Sequence, residues 1–314
     1  MPDLVHTLVI GGAGFIGQAL LQVLASDSNR HLTVLGRSSR PHHRLPPQVH
    51  YVQGDAGNPT LMTELLHDCD EVVDLAYATV PQTSFIDPLF DVTANLPTAV
   101  HTLQLASQAR LRRYLLVSSG GTVYGNTEAE RITESHPTNP VSPYGISKLV
   151  TEKYAMFFHQ MNQLPVVIAR PGNPFGLQQI GQTAQGFIGA AIAAIRAQRP
   201  ITVFGERGTV RDYLHVNDLA LGLAALLTHG QSGMVYNLGS GIGHSNLQVL
   251  AQLQALAHAD GLLTMVVHQP ARAFDVQRNV LESSLALQHC GWRPRLSLTD
   301  GLRQVWQNSR ILTF

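Results

Sequence analysis

One helical turn separates two reactive side chains in the run Tyr144-Gly145-Ile146-Ser147-Lys148. Four residues apart on a helix, a phenol and an ammonium share a face. A nearby cation favours the phenolate and lowers a tyrosine from its usual value of about 10 toward working pH. Such a phenol exchanges a proton with a substrate hydroxyl while a nicotinamide exchanges a hydride at the same carbon. The spacing alone also occurs on ordinary surface helices. What gives it weight is order along the chain: a glycine turn near the start, a hydroxyl-rich loop, then the Tyr/Lys helix.

Those groups need a scaffold, and the first piece is legible at the beginning. Leu4, Val5, Leu8, Val9 and Ile10 read as a strand buried on both faces. It ends at Gly11-Gly12-Ala13-Gly14-Phe15-Ile16-Gly17, and a helical pattern (Ile16, Leu20, Val23, Leu24) follows at once. Strand, glycine turn and helix form the opening unit of a dinucleotide-binding fold, in which backbone approaches a pyrophosphate at a helix N-terminus. Gly11, Gly14, Phe15, Ile16 and Gly17 are therefore the first cofactor-contact candidates.

Strand and helix patterns alternate through the rest of the chain, which predicts an α/β fold: a doubly wound parallel sheet of the Rossmann kind. Strands are predicted at Leu32–Leu35, Val49–Val52, Glu71–Leu75, Tyr114–Val117 and Pro165–Arg170. Helices are predicted at Thr60–His67, Phe90–Ala109 and Tyr144–Met161, with Pro81 and Pro88 in a loop before the second. After Arg170 the pattern shifts to a smaller C-terminal α/β lobe. Residues 1–172, with 216–243 returning to them, make the dinucleotide-binding domain; 173–215 and 244–314 make the lobe. The stretch 178–185 is polar and reads as a flap.

Composition narrows the classes. Of 314 residues, 44% are hydrophobic and 13% charged, so the chain has a large core. Lys plus Arg (21) equals Asp plus Glu (21), which gives no attraction to nucleic acid or membrane surfaces. Cys69 and Cys290 stand far apart, and the histidines show no zinc spacing, so no metal is expected. The first ten residues lack the features of a signal peptide and no apolar run nears membrane-spanning length, which points to the cytoplasm.

The motifs GGAGFIG, Gly54-Asp55, SSGGTVYG at Ser118–Gly125, SPYGISK at Ser142–Lys148 and TVRDYLHVNDLA at Thr209–Ala220 together carry a family resemblance. The chain resembles an extended short-chain dehydrogenase/reductase of the nucleotide-sugar epimerase/dehydratase group, most similar to its UDP-glucose 4-epimerase branch. The resemblance runs from Gly11 to about Trp306. It implies that Asp55 contacts the adenine, that Ala76 lines the cofactor cleft and that Asn95 helps hold the helix carrying Lys148. Ser118 and Arg170, at strand ends, join the cofactor contacts. Arg211, in the RDY segment, and Arg272, before Asp275, would clasp a UDP pyrophosphate, with Asn173 adding a hydrogen bond. Tyr144, Lys148, Thr122 and Ser119 would be catalytic, and Thr122 and Tyr144 would touch the sugar.

Two departures stand out. Relatives in this branch carry a Ser or Thr where this loop has Gly120, so Thr122 or Ser119 must take over that hydroxyl, or Tyr144 acts alone. The second strand ends in Leu35-Gly36-Arg37-Ser38-Ser39-Arg40, without the acidic residue that binds the NAD ribose. The resemblance implies NAD; Arg37 could accept the extra phosphate of NADP. The function expected is epimerisation at C4 of a UDP-hexose by transient oxidation. The alternatives are an NADPH-dependent reductase of a keto nucleotide sugar or other carbonyl, and a non-catalytic dinucleotide sensor. The resemblance also implies a homodimer built on the helices Phe90–Ala109 and Tyr144–Met161.

Overall fold

The structure is a computed structural model describing residues 4–41, 43–180, 186–206, 208–272 and 275–311. Of the stretch anticipated as a flap, residues 181–185 lie outside the described residues.

Strand β1 (Val5–Ile10) leads into α1 (Phe15–Leu24), then β2 (Arg30–Gly36), β3 (Val49–Gln53), α2 (Pro59–His67) and β4 (Glu71–Asp74). A short α3 (Pro81–Ile86) precedes α4 (Pro88–Ala106), β5 (Arg113–Val117), α5 (Pro143–Asn162) and β6 (Val166–Pro171). Next come β7 (Asn173–Phe175), α6 (Phe187–Arg196), β8 (Ile201–Phe204), β9 (Val210–His215), α7 (Val216–His229) and β10 (Met234–Leu238). The chain continues through β11 (Gly243–Ser245), α8 (Asn246–Ala259), β12 (Val266–Gln269), β13 (Arg278–Asn279), α9 (Ser284–Cys290) and α10 (Leu298–Asn308).

Seven strands form a parallel sheet in the order β10-β6-β5-β4-β1-β2-β3. Alternation along each strand divides its residues between two cores. Val9, Val34, Val73, Leu115 and Val167 pack with α1 and α7 on one face. Leu8, Ile10, Leu35, Leu116 and Ile168 pack on the other with Met62 and Leu66 of α2, Leu103 and Ala106 of α4 and Ala155 of α5. Winding reverses between β1 and β4, and ligands of such sheets bind at that crevice beyond the strand ends. There Leu75 donates its N–H to the Ile10 carbonyl at 3.0 Å, which sets the chain after β4 against the Gly11 turn.

A separate core joins α6, α8 and α10 to β8 and β9 through Ile192, Leu253, Leu302 and Trp306. In it, β9 pairs with β7, β11 and β13. The segment around α9 packs back on the main sheet, with Ala286 and Trp292 beside α7. No helix among the described residues is long and apolar enough to cross a membrane.

Sequence and structure differ chiefly at helix starts. Asn58, Asp87 and Ser142 each cap a helix through the side chain, and each is followed by a proline at the first helical position. A proline's fixed φ and missing N–H suit that position, so these helices begin one or two residues earlier than periodicity indicated. The expected loop around Pro81 contains α3, six residues long and too short to show a helical period. The sequence pattern also predicts a strand at Leu263–Val267, whereas β12 starts at Val266, where pairing with β8 sets Val266 opposite Ile201.

Beneath the carboxyl ends of β5 and β6 lies a buried polar network. Arg170 holds Glu152 through Nε at 3.0 Å and Nη2 at 2.6 Å, and its Nη1 donates to the Tyr124 hydroxyl at 2.9 Å. Tyr124 donates in turn to Asn237 Oδ1 at 2.8 Å. Arg170→Met leaves the Glu152 carboxylate buried without its cation, an expected loss of about 3–5 kcal/mol. A lowered midpoint in urea unfolding reads it. Adding Glu152→Leu should recover much of the loss; a double variant no steadier than the single one would show that the two residues do not act as a pair.

Candidate functional site

One cleft of about 720 Å³ runs from the glycine turn across the sheet ends into the second core. At one end Gly11, Gly14, Phe15, Ile16 and Gly17 line it. The turn tolerates no side chains where it matters. Gly11 has φ +75° and lies against Ala76, whose N would sit 3.1 Å from an added Cβ; a Cβ on Gly17 would meet the Gly12 carbonyl oxygen at 2.3 Å. Helix α1 starts at Gly14 with no side-chain cap, so its first N–H groups and the positive end of its dipole are available to an anion. This cradle fits a dinucleotide pyrophosphate.

Ser118, Ser119, Gly121, Thr122, Tyr144 and Lys148 line the middle. Ser142 caps α5 by accepting from Gly145 N at 3.2 Å, and Tyr144 N donates to Ser84 Oγ of α3 at 3.1 Å. The short helix absent from the sequence reading thus fixes where the phenol begins. Lys148 is buried and donates Nζ to the Val117 carbonyl at 3.0 Å. Burial pushes its amine down to about 8, opposed by Asp74, Glu152 and Asp91.

The tyrosine behaves differently from expectation. Burial, then the Asp91 carboxylate, raise Tyr144 above its ordinary value, and a hydrogen bond with Ser119 draws it partly back. The Lys148 ammonium is turned to the Val117 carbonyl and stands 5.9 Å from the Tyr144 ring centroid. The hydroxyl neighbour of the phenol is therefore Ser119. Thr122 Oγ1 is buried without a partner, as are Tyr77 OH and Gln179 Oε1, and all three residues line this cleft. Gly120 is forced by packing: a Cβ there would lie 2.6 Å from Leu281 Cδ1 and 2.8 Å from the Arg170 carbonyl oxygen.

At the far end stand Asn173, Arg211 and Arg272. Arg211 donates to the neighbouring Val210 carbonyl at 3.1 Å and makes no ion pair among the described residues. Burial disfavours its charge; Asp275 and Tyr213 support it and Arg272 opposes it. Arg272 is already held by Asp275, through contacts of 2.8 and 3.0 Å, and lies over the Phe204 ring at 4.3 Å. The two guanidiniums together make this end cationic.

Three expected contacts, Arg170, Ser118 and Asn95, engage their side chains in the interior, while Asp55 and Arg37 stand exposed at strand ends. Arg170 is corrected to an interior residue, its donors consumed by Glu152 and Tyr124. Ser118 contributes backbone to the cleft while its hydroxyl bonds Glu152. Asn95 pins the loop after β4: its Oδ1 accepts from Ala78 N at 2.7 Å and its Nδ2 donates to Thr79 Oγ1 at 3.2 Å, and Thr79 in turn bonds Asp91. Asp91 is the residue that grips the helix, accepting from Ser147 Oγ at 2.6 Å. Asp55 is exposed after β3 and accepts from Gly57 N at 2.8 Å, and Arg37 is exposed after β2.

Tyr77, Asp91 and Gln179 escaped sequence reasoning. Tyr77 carried a signal, an aromatic directly after the fourth strand at a ligand-binding strand end. Asp91, a carboxylate in the first turn of a helix, looks like a surface residue until its burial is seen.

Residues 7–239 match the sequence model of a family described as NAD dependent epimerase/dehydratase. The UDP-glucose 4-epimerase of Mycolicibacterium smegmatis is 29% identical over 306 residues, 96% of this chain and 97% of that protein. A dTDP-glucose 4,6-dehydratase of an Actinoplanes species is also 29% identical, over 317 residues, 95% of each chain. The crystal structure of the Thermus thermophilus UDP-glucose 4-epimerase in complex with NAD superposes with a TM-score of 0.90 at 29% identity, covering 98% of this chain and 100% of that one.

Tyr144→Phe should cut turnover on a sugar-nucleotide substrate by about a hundred- to ten-thousand-fold while dinucleotide affinity, read by fluorescence quenching, stays within twofold or so. Ser119→Ala should cost more turnover than Thr122→Val, because Ser119 bonds the phenol. Equal kinetics for these two variants would remove Ser119 from proton handling.

Proposed function

The chain belongs to the NAD dependent epimerase/dehydratase family, and from that premise we propose that it epimerises a UDP-hexose at C4. One observation carries the reading: a single cleft joins a glycine cradle, a phenol with an amine and a serine, and a cationic end. Gly11, Gly14 and Gly17 with the start of α1 would hold NAD by its pyrophosphate, and the nicotinamide would supply the acceptor and donor of a hydride at the sugar carbon. Tyr144, as its phenolate, takes the proton of the 4-hydroxyl and returns it, with Ser119 hydrogen-bonded to the phenol; burial and Asp91 oppose that phenolate, and the positive charges of Lys148 and of a bound nicotinamide would favour it. Arg211 meets the pyrophosphate, whose charge offsets the cost of burying a guanidinium. Anchoring the sugar by its diphosphate leaves the hexose free to turn over between the two hydride transfers.

Dehydratases occur among the relatives, so the choice between the two chemistries needs a physical ground. Removing water across C5 and C6 calls for an acid and a base beside the phenol. Among the described residues lining the cleft the one carboxylate is Asp275, bound to Arg272 at the far end. The loop facing Tyr144 offers hydroxyls and glycines only. A reversible oxidation at C4 needs no more than the phenol and the cofactor.

The chemistry is complete in one chain, but its outer face suggests a homodimer. Ile86 of α3, Leu89 and Phe90 of α4 and Ile146, Phe157 and Met161 of α5 are exposed apolar side chains on three helices that pack together. Pairing this face with its copy would give a four-helix interface.

Purified protein incubated with UDP-galactose should produce UDP-glucose, followed by the anomeric proton signals, with NAD identified by mass spectrometry of the denatured protein. A single accumulating product with loss of water, or net oxidation of added NADPH, would replace the epimerase reading. Arg211→Met should raise KM about ten- to a hundredfold with kcat little changed, since it removes a charge-assisted contact to a group remote from the reacting carbon.

A further inference from the structure

We propose that Tyr77 is a positioning residue for Lys148: its ring face holds the ammonium beside Tyr144 and keeps it protonated. The inference rests on Lys148 belonging to the active site read above.

The geometry is compact. Lys148 Nζ lies 4.0 Å from the Tyr77 ring centroid and 5.9 Å from that of Tyr144. The two rings meet edge to face, centroids 5.0 Å apart at 74°. A cation over an aromatic face within about 6 Å is attracted by the ring quadrupole, and the attraction grows as water is excluded. Around Lys148 stand Val117 from β5, Asp74 from β4, Asp91 from α4, Glu152 and Tyr144 from α5, and Tyr77.

The carboxylates act on the amine from a distance, because each is engaged elsewhere. Asp74 accepts from Tyr114 OH at 2.8 Å and from Ala76 N at 3.1 Å. Asp91 is taken by Ser147 and Thr79, and Glu152 by Arg170 and Ser118. Among the described residues, the close partners left to the ammonium are one carbonyl and one ring face. Tyr77 itself stays neutral, since burial, then Asp91 and Tyr144, push its phenol upward. Its loop is immobilised at Ala78 and Thr79 by Asn95 and Asp91. With burial holding Lys148 near about 8, a partner that favours the charged form decides its state at working pH.

The chain offers an unusually clean test, for it contains two lysines, the buried Lys148 and the exposed Lys153. Protein labelled with ¹³C at the lysine ε-carbon gives two signals; Lys153→Arg assigns them, and Lys153 serves as the internal reference. Tyr77→Phe keeps the ring and should leave the Lys148 titration midpoint in place. Tyr77→Met should lower it by about half a unit to one and a half units. Should the methionine variant not fold, 3,5-difluorophenylalanine at position 77 keeps the ring's shape while weakening its face, and the midpoint should fall there too. A midpoint unchanged or raised in the fluorinated protein overturns the proposal. In kinetics the alkaline limb of kcat/KM should move with the midpoint, whereas a ring that merely fills space would lower activity evenly at all pH values. The titration needs no substrate. A shifted midpoint in a protein that epimerises nothing would sink the functional reading alone, and epimerase activity with an unshifted midpoint would sink this one alone.

Discussion

An ammonium enclosed at the end of a parallel sheet sets the terms for the structure around it. Taking Lys148 out of water costs several kcal/mol unless its surroundings answer the charge. The answer comes from separate elements: a carbonyl of β5, a ring from the turn after β4, and carboxylates on β4, α4 and α5. Each carboxylate is itself fixed by a hydroxyl or a guanidinium, so the cluster is satisfied only when α4, α5 and the sheet are docked together. The buried Arg170 continues this arrangement toward Tyr124 and β10. Assembly of the fold and placement of the amine are thus one event.

The sheet and its opening turn were legible because they depend on local signals. A buried parallel strand must be apolar on both faces, and a turn with φ +75° at Gly11 must be glycine. Helix starts were less legible, since a cap followed by proline is a two-residue signal overshadowed by periodicity. The site was read in part. Tyr144, Ser119 and Lys148 share the cleft as their spacing suggested, yet the amine points to Val117 and its ring partner is Tyr77, far earlier in the chain. Nothing local announces such a contact; it exists because β4 and β5 are neighbours in the sheet. Arg170 misled for the same reason. A strand-end arginine looks like a ligand contact until Glu152 of α5 is found against it.

Charge is distributed unevenly along the cleft. The cradle and the two guanidiniums present positive potential to phosphates at either end, and the middle presents hydroxyls without a free carboxylate. A carboxylate beside the phenol would compete for the substrate proton and invite elimination chemistry. The glycine at 120 leaves no space for any added group, wedged as it is between Leu281 and the chain at Arg170. The groups left to handle protons in the middle of the cleft are the Tyr144 phenol and its neighbouring hydroxyls.

Arginine supplies nearly all the positive charge of this protein, and the enclosure of Lys148 leaves Lys153 as the one side-chain amine facing solvent. Among the side chains, reagents that acylate lysine therefore meet one exposed address, on α5 beside the exposed Tyr154 and Phe157. A dye coupled to that amine reports from the outer face of the helix that carries the phenol, and pairing of that face with a second copy would shield it.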